Sequence, residues 1–472
     1  FAWLFQEICD GVCVSGKCAS CYPGQNRCNG DLIESCGADG ESWEEQKNCS
    51  EEGDGLMCLS GQCVDPCSSD FKFNTNIGCE YWAVDLDQTF EGDSHNSPFA
   101  IVVSNVNSQA SAMVSLYRDG NLEEEVEVGA SDLHIFSVDP HNVDGSMKDK
   151  RAFRLRSTRP IIAYQFNPLE NVGVFSNDAS MLIPLNSLGS SYRVLGWPER
   201  PGDLHGYVTM VATEDQTEVT IEVTANTAAG PGGVPALSNG ESWTTILNAY
   251  EVLSVETNGA GQDLSGTLIS SSKPIAVFSG HECANVPDTT ACDGGICAFA
   301  PLWTCSGPED CPAVCCCDHL EEQLFPISAW GKTYVGARST PRGLENDHWR
   351  VVAAEDNTQL TFDPPVASAP IMAAGDVFEF PAVDSFVLTA DKPVMLGQFL
   401  ASEFAPGVSA GICNNSNGLF GSCTNLPGEI CLTNQDCVAD AEPGDAGIGD
   451  PAFVLAVPVE QLRDEYVFLV PD

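Results

Sequence analysis

Basic residues are scarce in this chain. Its 472 residues include 20 Lys and Arg against 67 Asp and Glu, which gives a formal net charge of −47. Such a chain repels phosphate backbones and anionic lipid surfaces, so we expect no nucleic-acid partner. The acidic side chains are compatible with calcium or with a salty medium, and equally with a plain solvated surface.

Long apolar runs are missing as well. No hydrophobic stretch reaches the roughly 18 residues that suggest a membrane span, so we expect no transmembrane segment in this chain. No long stretch follows the helical period of about 3.6 residues. The 43 Gly and 29 Pro also argue against many helices. The composition therefore favours strands and turns.

Catalytic signatures are few. The chain has neither the His-Glu-x-x-His string of zinc proteases nor the Cys-x-x-Cys-His string of covalent haem attachment. The residues around Ser409 match the Gly-x-Ser-x-Gly string of a nucleophile elbow. That motif requires a strand before it and a helix after it, whereas Pro406 and Cys413 flank it here. We therefore expect no catalytic residue and no enzymatic activity.

The 23 cysteines are clustered, which indicates an oxidising compartment and hence an extracellular or cell-surface protein. Local disulfides would stabilise segments too rich in loops to bury a core, each by about 2–4 kcal/mol. Zinc is the competing interpretation for Cys18 with Cys21, and for Cys315 to Cys317 with His319, although zinc knuckles usually come in pairs at a fixed separation. The clusters are Cys9, Cys13, Cys18, Cys21, Cys28, Cys36, Cys49, Cys58, Cys63, Cys67 and Cys79; then Cys283, Cys292, Cys297, Cys305, Cys311, Cys315, Cys316 and Cys317; and last Cys413, Cys423, Cys431 and Cys437.

Residues 1–79 are predicted to form a small disulfide-rich module. A Cys-x4-Cys turn around a glycine occurs at Cys13 to Cys18 and again at Cys58 to Cys63. The first copy has the form of the end of such a module, so we expect the natural polypeptide to extend upstream. The eleven cysteines of this region are an odd number, and Cys9 is the candidate for a partner in that upstream part.

A second pattern recurs three times along the rest of the chain. A strand that contains Arg-Pro or Lys-Pro, at Pro160, Pro274 and Pro393, is followed by an Asp, a Pro and a strand led by an aromatic residue. These prolines are 114 and 119 residues apart, the size of a small domain and not of a solenoid repeat. The runs between them are short, rich in β-branched and aromatic residues, and bounded by Asn, Gly, Asp or Pro, as is typical of strands.

The sequence therefore predicts an all-β fold. Tandem antiparallel β-sandwich-like units would follow the small disulfide-rich module, and a propeller-like arrangement of the units is the alternative. The expected boundaries are 80–176 for the first unit, 177–317 for the second with a Cys-rich insertion at 283–317, 318–449 for the third with a Cys-containing insertion at 405–449, and 450–472 for the start of a fourth, incomplete unit.

Several strings of the chain resemble the IgGFc-binding protein N-terminal domain family. They are Cys79 to Asp87, the Lys-Pro strands, Gly280-His281-Glu282, and Cys317 to Gln323. The resemblance covers roughly residues 79 to 472 and rests on short strings in the right order, not on one diagnostic site. The chain looks like a bacterial secreted or surface member with a cysteine-rich N-terminal module. Immunoglobulin binding is not carried over with the resemblance.

Asp85 and Asp87 are the first candidate metal ligands. Two carboxylates at positions i and i+2 of a strand face the same side and could share a calcium ion. Calcium is therefore the candidate cofactor, and no cofactor is assigned with certainty.

The second candidate group flanks the first insertion. His281 precedes it, and Asp318, His319 and Glu322 follow it. These residues would close the loop through structural hydrogen bonds, or would form a metal or acid–base site if the insertion folds back on itself.

Three functions are compatible with these features. The leading one is a non-catalytic extracellular or cell-surface structural or adhesion protein that can self-assemble into a filament or matrix, with copies of itself or other surface and matrix proteins as partners. The alternative is a receptor that binds glycans or proteins through the cysteine-rich insertions, because loops carry function more often than scaffolds do. The third is a secreted metal-dependent hydrolase that uses His281 and His319.

Overall fold

The computed structural model is nearly all β-strand, which confirms the predicted fold class. Within its described residues there is one short α-helix, and no helix is long and apolar enough to cross a membrane. The model describes residues 12–14, 17–53, 56–65, 67–68, 75–89, 98–107, 110–169, 177–200, 204–287, 292–293, 296–297, 300–304, 317–340, 345–402, 413–414, 421–423, 430–431 and 451–462.

Short paired strands and disulfides make up the N-terminal module. Its strands are β1 (Val12–Val14), β2 (Lys17–Ala19), β3 (Asn26–Asn29), β4 (Leu32–Cys36), β5 (Trp43–Asn48), β6 (Met57–Leu59) and β7 (Gln62–Val64), with helix α1 (Cys49–Glu52) between β5 and β6. β3, β4 and β5 form a sheet, while β1 with β2 and β6 with β7 are hairpins. The core holds little more than Ile33 and two half-cystines, so covalent links replace apolar burial here. The described disulfides join Cys21 to Cys36, Cys28 to Cys58, Cys49 to Cys63, and Cys67 to Cys79.

The first β unit is a seven-stranded antiparallel sheet. Its strands are β8 (Gly78–Val84), β9 (Phe99–Asn105), β10 (Ala112–Arg118), β11 (Asn121–Val128), β12 (Leu133–Val138), β14 (Ala152–Asn167) and β15 (Asp178–Met181). The order is β11-β10-β14-β9-β12, and β8 and β15 also pair with β14. Between β12 and β14, strand β13 (Met147–Lys150) leaves this unit and pairs with a strand of the next one.

The second unit is built on the same plan. Its strands are β16 (Gly189–Arg193), β17 (Gly206–Ala212), β18 (Thr217–Glu222), β19 (Ser242–Leu247), β20 (Glu251–Glu256), β21 (Leu268–Ala284) and β25 (Asp318–Gln323). The order is β13-β20-β17-β21-β18-β19, and β16 and β25 also pair with β21. A separate small sheet of β22 (Cys292–Asp293), β23 (Ile296–Cys297) and β24 (Ala300–Thr304) lies in the insertion.

The third unit repeats the plan with fewer strands. They are β26 (Gly331–Gly336), β27 (Asp347–Ala353), β28 (Leu360–Asp363), β29 (Val377–Ala382), β30 (Phe386–Phe399) and β34 (Phe453–Leu455). The order is β26-β30-β27-β29, and β28 and β34 also pair with β30. Its insertion likewise contains a small sheet, of β31 (Cys413–Asn414), β32 (Gly421–Cys423) and β33 (Ile430–Cys431).

One long strand organises each unit. β14, β21 and β30 have 16, 17 and 14 residues, and each pairs with one set of neighbours along its first half and another along its second half. Pro160, Pro274 and Pro393 lie where the neighbours change. A proline has no N–H to donate. At a position between two sets of partner strands, it therefore removes no hydrogen bond from the sheet. The strands run on through these prolines.

The units pack against one another through continuous apolar cores. β17 is buried along its whole length because one face covers the core of its own unit and the other contacts the first unit. This explains why Gly206 to Ala212 is apolar except for the buried Thr209 and does not alternate with exposed polar residues. On the other side of the second unit, Met395 and Phe399 of β30 join its core. The sandwich-like units are therefore packed against one another and are not separated by linkers.

A repeated contact, which we call the clasp, joins each unit to the next. The first strand of a unit begins with a glycine, and a buried tyrosine follows three residues later. The tyrosine hydroxyl donates to the carbonyl oxygen of the residue that follows the proline of the long strand, which we call the strand proline. A Cβ on that glycine would lie 2.2–2.5 Å from the Cβ of the proline that leads into the following unit. The clasps consist of Gly78, Tyr81, Ile161 and Pro184; Gly189, Tyr192, Ile275 and Pro326; and Gly331, Tyr334, Val394 and Pro458.

Candidate functional site

Three of the strings singled out in the sequence meet at the junction of the first two units. β25, which begins at Asp318, pairs with β21 so that Leu320 is opposite His281. Gln165 of β14 ties these strands to the string that ends at Asp87, since its Nε2 donates to Glu321 Oε1 at 3.2 Å and its Oε1 accepts from the Val84 amide at 3.2 Å. The strings are thus neighbours in space although they are far apart in the chain.

Asp85 and Asp87 are both buried, and each accepts a hydrogen bond from a different backbone amide. Asp85 Oδ2 accepts from the His141 amide at 2.7 Å, and Asp87 Oδ2 accepts from the Gly145 amide at 2.6 Å. Burial raises the pKa of Asp85 to about 7. Burial, and then the nearby charge of Glu282, raise the pKa of Asp87 well above its usual range. Neither carboxylate is an ordinary solvated acid.

Asp87 belongs to a group of three carboxylates, which we call the acidic cluster. Asp87, Glu256 and Glu282 each place an oxygen within 4.8 Å of the other two. Glu256 ends β20 and Glu282 lies in β21, so antiparallel pairing through β17 brings them to one edge of the second unit. Asp87 reaches them from the first unit. Asp85 is not in this group, so the structure pairs Asp87 with glutamates from the next unit.

His205 lies beside the acidic cluster. Its backbone amide donates to Glu282 Oε2 at 2.7 Å, and its Nδ1 lies 3.3 Å from Glu199 Oε2. Burial lowers the pKa of His205, but the charges of Glu256, Glu282 and Glu199 outweigh burial and leave this pKa raised. An imidazolium here would offset part of the negative charge of the cluster.

The two glutamates of the acidic cluster also resist ionisation. Burial raises the pKa of Glu282 to about 7, against the lowering effect of the His205 amide. Burial likewise raises the pKa of Glu256, although the charge of His205 opposes the increase. A bound cation or shared protons would stabilise three neighbouring carboxylates whose pKa values are raised.

Tyr207 lies between the acidic cluster and a second acidic group. Its side chain is 1% exposed, and its hydroxyl has no hydrogen-bond partner among the residues that the structure describes. A Cβ on Gly280 would lie 2.4 Å from this hydroxyl, so the glycine of the Gly280-His281-Glu282 string makes room for it. Burial, and then the charges of Glu321, Asp87, Glu282 and Asp178, raise the pKa of Tyr207 further.

The second acidic group follows the first insertion. Asp178 Oδ2 accepts from the Glu321 amide at 2.9 Å, and burial followed by the charge of Glu321 raises the pKa of Asp178. Burial raises the pKa of Glu321 well above its usual range and that of Glu322 to about 8. Glu322 accepts from the Leu455 amide of the third unit at 3.3 Å. Burial therefore favours the protonated form of these carboxyl groups.

His281 and His319, the candidates for acid–base work, are both completely buried. His281 Nδ1 accepts from the Cys283 amide at 3.0 Å, and its Nε2 lies 3.1 Å from the Pro198 oxygen. His319 Nε2 lies 3.3 Å from Glu321 Oε2. Burial lowers the pKa of each imidazole to about 3, so both stay neutral at physiological pH. Asp318 Oδ1 accepts from the His319 amide at 2.9 Å and completes the closure of the loop.

A disulfide between Cys283 and Cys317 closes the first insertion at its base. Cys317 and Cys21, two of the residues in the zinc interpretation, are therefore bonded to other cysteines and offer no thiolate. For some of the remaining cysteines the structure describes only the backbone: Cys13, Cys18, Cys292, Cys297, Cys413, Cys423 and Cys431. Outside the described residues lie Ser409 and the other cysteines, which are Cys9, Cys305, Cys311, Cys315, Cys316 and Cys437.

The two insertions leave the scaffold side by side. The Val286 amide, just after Cys283, donates to Ser402 Oγ at 2.9 Å, and the Ser402 amide donates to the Val286 oxygen at 2.8 Å. Trp197 packs beside this contact, with its Nε1 donating to the Asn285 oxygen at 2.8 Å. The bases of the two cysteine-containing insertions are thus joined to each other. The sequence placed the insertions at equivalent points of two units but could not show that these points touch.

Glu256, His205 and Tyr207 were not among the residues that the sequence singled out. Glu256 ends a strand without any recognised motif, and no motif surrounds His205. Only the register of β17 with β20 and β21 places them next to Asp87 and Glu282. The one sequence signal was the Gly280-His281-Glu282 string, which lies at the centre of the junction.

Comparisons with known proteins match the part of the chain that contains Gly280-His281-Glu282 and β25. A family model described as IgGFc binding protein matches residues 178–302 and 296–472, which together cover more than half of the chain. A human protein named IgGFc-binding protein is 27% identical over 214 residues, or 45% of this chain. That alignment covers only 3% of the human protein. No solved structure matches the chain.

Proposed function

The chain belongs to the IgGFc-binding protein family, and from that membership we propose that it is a non-catalytic, extracellular adhesion protein that binds other proteins or glycans through its two cysteine-rich insertions. The fused β units would act as the scaffold that presents them. Disulfides in the N-terminal module and at the base of the first insertion support a location in an oxidising compartment.

The observation that carries this proposal is the contact between the insertion bases. Two hydrogen bonds between Val286 and Ser402 fix the exit points of both insertions next to each other. Each insertion contains a small three-stranded sheet of its own. Loops held at a rigid base lose less conformational entropy when a ligand binds, which favours a shared contact surface built from both.

The state of the two central histidines supports a protein without hydrolase activity. His281 and His319 are both 0% exposed and are held in place by neighbouring backbone and carboxylate groups. A general base must come within hydrogen-bonding distance of a substrate, and these imidazoles lie under the strands of the junction. Their position fits loop closure better than the hydrolase hypothesis.

Deletion of the insertions tests the proposal. We expect a chain that lacks residues 288–316, with Cys283 and Cys317 kept, to fold and to lose binding to a glycan array or to a panel of extracellular proteins that includes the Fc fragment of immunoglobulin G. A chain that lacks residues 403–450 should lose binding to the same probe. Circular dichroism and thermal unfolding serve as the folding controls. Retention of binding by both deletion variants would contradict the role of the insertions.

Self-assembly is the second candidate, and one observation favours it. Strand β34, which pairs with β30, and the residues after it carry three partly exposed apolar side chains, Val454, Val457 and Val459. An exposed strand with apolar side chains can pair with another chain. Light scattering over a range of concentrations tests this idea. A solution mass that rises with protein concentration in the wild type, but not in Val454→Lys, would support assembly. A constant monomer mass would exclude it.

A further inference from the structure

The acidic cluster at the junction of the first two units has an unbalanced charge. Asp87 is 1% exposed, and the oxygens of Asp87, Glu256 and Glu282 lie within 4.8 Å of one another. In the described part of the chain, none of the ion pairs formed by Lys or Arg involves these three residues. Like charges this close need a cation or shared protons to compensate them.

The backbone orients the carboxylates and leaves oxygens available. Asp87 Oδ2 is bonded to the Gly145 amide and Glu282 Oε2 to the His205 amide, and no hydrogen bond among the described residues uses Asp87 Oδ1 or Glu282 Oε1. A Cβ on Gly145 would lie 3.3 and 3.4 Å from the two carboxylate oxygens of Glu256. The loop at Gly145 therefore forms one wall of the cluster. Such supporting hydrogen bonds are what hold metal ligands in position.

A second and independent feature points to a ligand at the same place. The Tyr207 hydroxyl is buried and has no partner among the described residues. Tyr207 pairs with Gly280, so its side chain lies on the face of β21 that also carries Glu282, two residues on. The charge of Glu321, and then those of Asp87 and Glu282, act on this hydroxyl, which lies between the second acidic group and the acidic cluster. A buried polar group without a partner is costly, and a bound ion with its water would supply one.

We propose that Asp87, Glu256 and Glu282 bind a calcium ion that links the first and second units. Carboxylate oxygens are the ligands that calcium prefers, whereas zinc favours nitrogen and sulfur. Asp87 comes from the first unit, and the two glutamates come from the second. The bound ion therefore stabilises the junction as a whole, and this role is separate from ligand binding by the insertions.

Protons are the competing way to balance this charge. The groups that face the cluster are Asp144, Glu199 and His205, and a protonated His205 with shared carboxyl protons would also neutralise it. The two explanations differ in what calcium does. A calcium site binds more tightly as the pH rises and the carboxyl groups lose their protons, whereas a proton-sharing cluster has no affinity for calcium.

Calorimetric titration of the full chain with calcium chloride, after treatment with a chelator and at pH 8, tests the proposal. We expect binding with a dissociation constant of roughly 0.1–1 mM, as is usual for extracellular calcium modules. Asp87→Asn should weaken this binding by about tenfold or more. The unfolding temperature of the wild-type chain should rise with calcium concentration and that of the variant should not.

Glu322→Gln is the matched control because it changes a half-buried carboxyl group outside the cluster, and it should bind calcium as the wild type does. If Asp87→Asn does not fold, Glu256→Gln changes a half-buried member of the cluster and takes its place. Absence of a binding signal at millimolar calcium, or equal affinity in the wild type and the cluster variants, overturns the proposal. Binding of zinc but not calcium also overturns it.

Discussion

The hydroxyl of Tyr192 donates a hydrogen bond of 2.7 Å to the carbonyl oxygen of Ile275, the residue after the strand proline. Tyr81 and Tyr334 make the same bond in the other two units. The Tyr192 hydroxyl also accepts from the Gly189 amide at 2.9 Å. One side chain thus fixes both the start of the unit and the middle of its long strand, which explains why an aromatic residue recurs at this point of each repeat.

Tyr192→Phe tests the clasp of the second unit. The change keeps the ring but leaves the buried Ile275 carbonyl and the Gly189 amide without this hydroxyl. Loss of one partner of a buried hydrogen bond costs about 1–3 kcal/mol, so we expect the free energy of unfolding to fall by that amount in urea titrations. Tyr22→Phe is the control, since Tyr22 is 54% exposed, and it should change stability little. An equal effect of both changes would show that the clasp bond contributes nothing.

Gly189→Ala tests the second part of the clasp, the close approach of one unit to the next. The added Cβ would lie 2.5 Å from the Cβ of Pro326, much closer than two carbon atoms can approach. Relief requires a shift of backbone, and overpacking of this kind costs about 1–3 kcal/mol. We therefore expect a lower unfolding temperature.

Gly129→Ala is the matched control for this glycine. A Cβ there would meet nothing nearer than 3.5 Å, which is an ordinary contact. Scanning calorimetry of both variants gives the comparison. If Gly189→Ala unfolds at the wild-type temperature, the contact between Gly189 and Pro326 is not tight in solution.

The sequence predicted much of the scaffold because local patterns control it. Short β-branched runs indicated the strands, and the recurrence of Pro160, Pro274 and Pro393 indicated the repeats. Clustering of cysteines indicated a disulfide-rich module, and the structure pairs several of its cysteines locally. The exact limits of the units stay a prediction, because strands such as β13 and β25 cross from one repeat to pair with another.

The candidate site could be predicted only in part. Asp87 and Glu282 lie in strings that attracted attention, but the sequence paired Asp87 with Asp85 by their spacing. In the structure, the two aspartates accept from separate amides, and the carboxylates grouped with Asp87 come from strands of the next unit. Contacts of this kind depend on how two units pack, and the spacing of residues within one strand carries no information about that packing.

Arg350 is the central polar residue between the second and third units. It is 4% exposed, its Nη2 lies 2.5 Å from Asp263 Oδ2, and its Nε lies 3.1 Å from Glu379 Oε2. Burial alone would raise the pKa of Asp263, but the charge and hydrogen bonds of Arg350 hold it below its usual value. We expect Arg350→Leu to lower the free energy of unfolding by about 3–5 kcal/mol, because it leaves Asp263 without its cation.

Lys47→Met is the control for this ion pair. Lys47 pairs with Glu52 at 3.0 Å, but both side chains are about half exposed. Exposed pairs contribute roughly 0–1 kcal/mol, so this change should have a small effect in the same urea titration. A small effect of Arg350→Leu would mean that water reaches Asp263 and compensates its charge.

The pH dependence of stability follows from the buried carboxyl groups. Burial raises the pKa of Asp85 to about 7 and that of Glu322 to about 8. In the unfolded chain these groups titrate near pH 4, so between about pH 4 and pH 8 the folded state binds more protons than the unfolded state. Their contribution to stability is therefore complete at low pH and is lost as the pH rises through 7 and 8.

Buried histidines act in the opposite direction, but in a lower range. Burial lowers the pKa of His281 and His319 to about 3, so they destabilise the folded state as the pH falls below about 6.5, where unfolded histidine takes up a proton. Between pH 8 and pH 6.5 the carboxyl groups act in the same direction as His205, whose pKa is raised by the charges of neighbouring glutamates. We expect the unfolding temperature, measured in chelator to remove calcium, to rise as the pH is lowered across this window. Glu322→Gln should reduce the slope because it removes one titrating group, and a slope of the opposite sign would mean that these carboxyl groups are ionised in the folded protein.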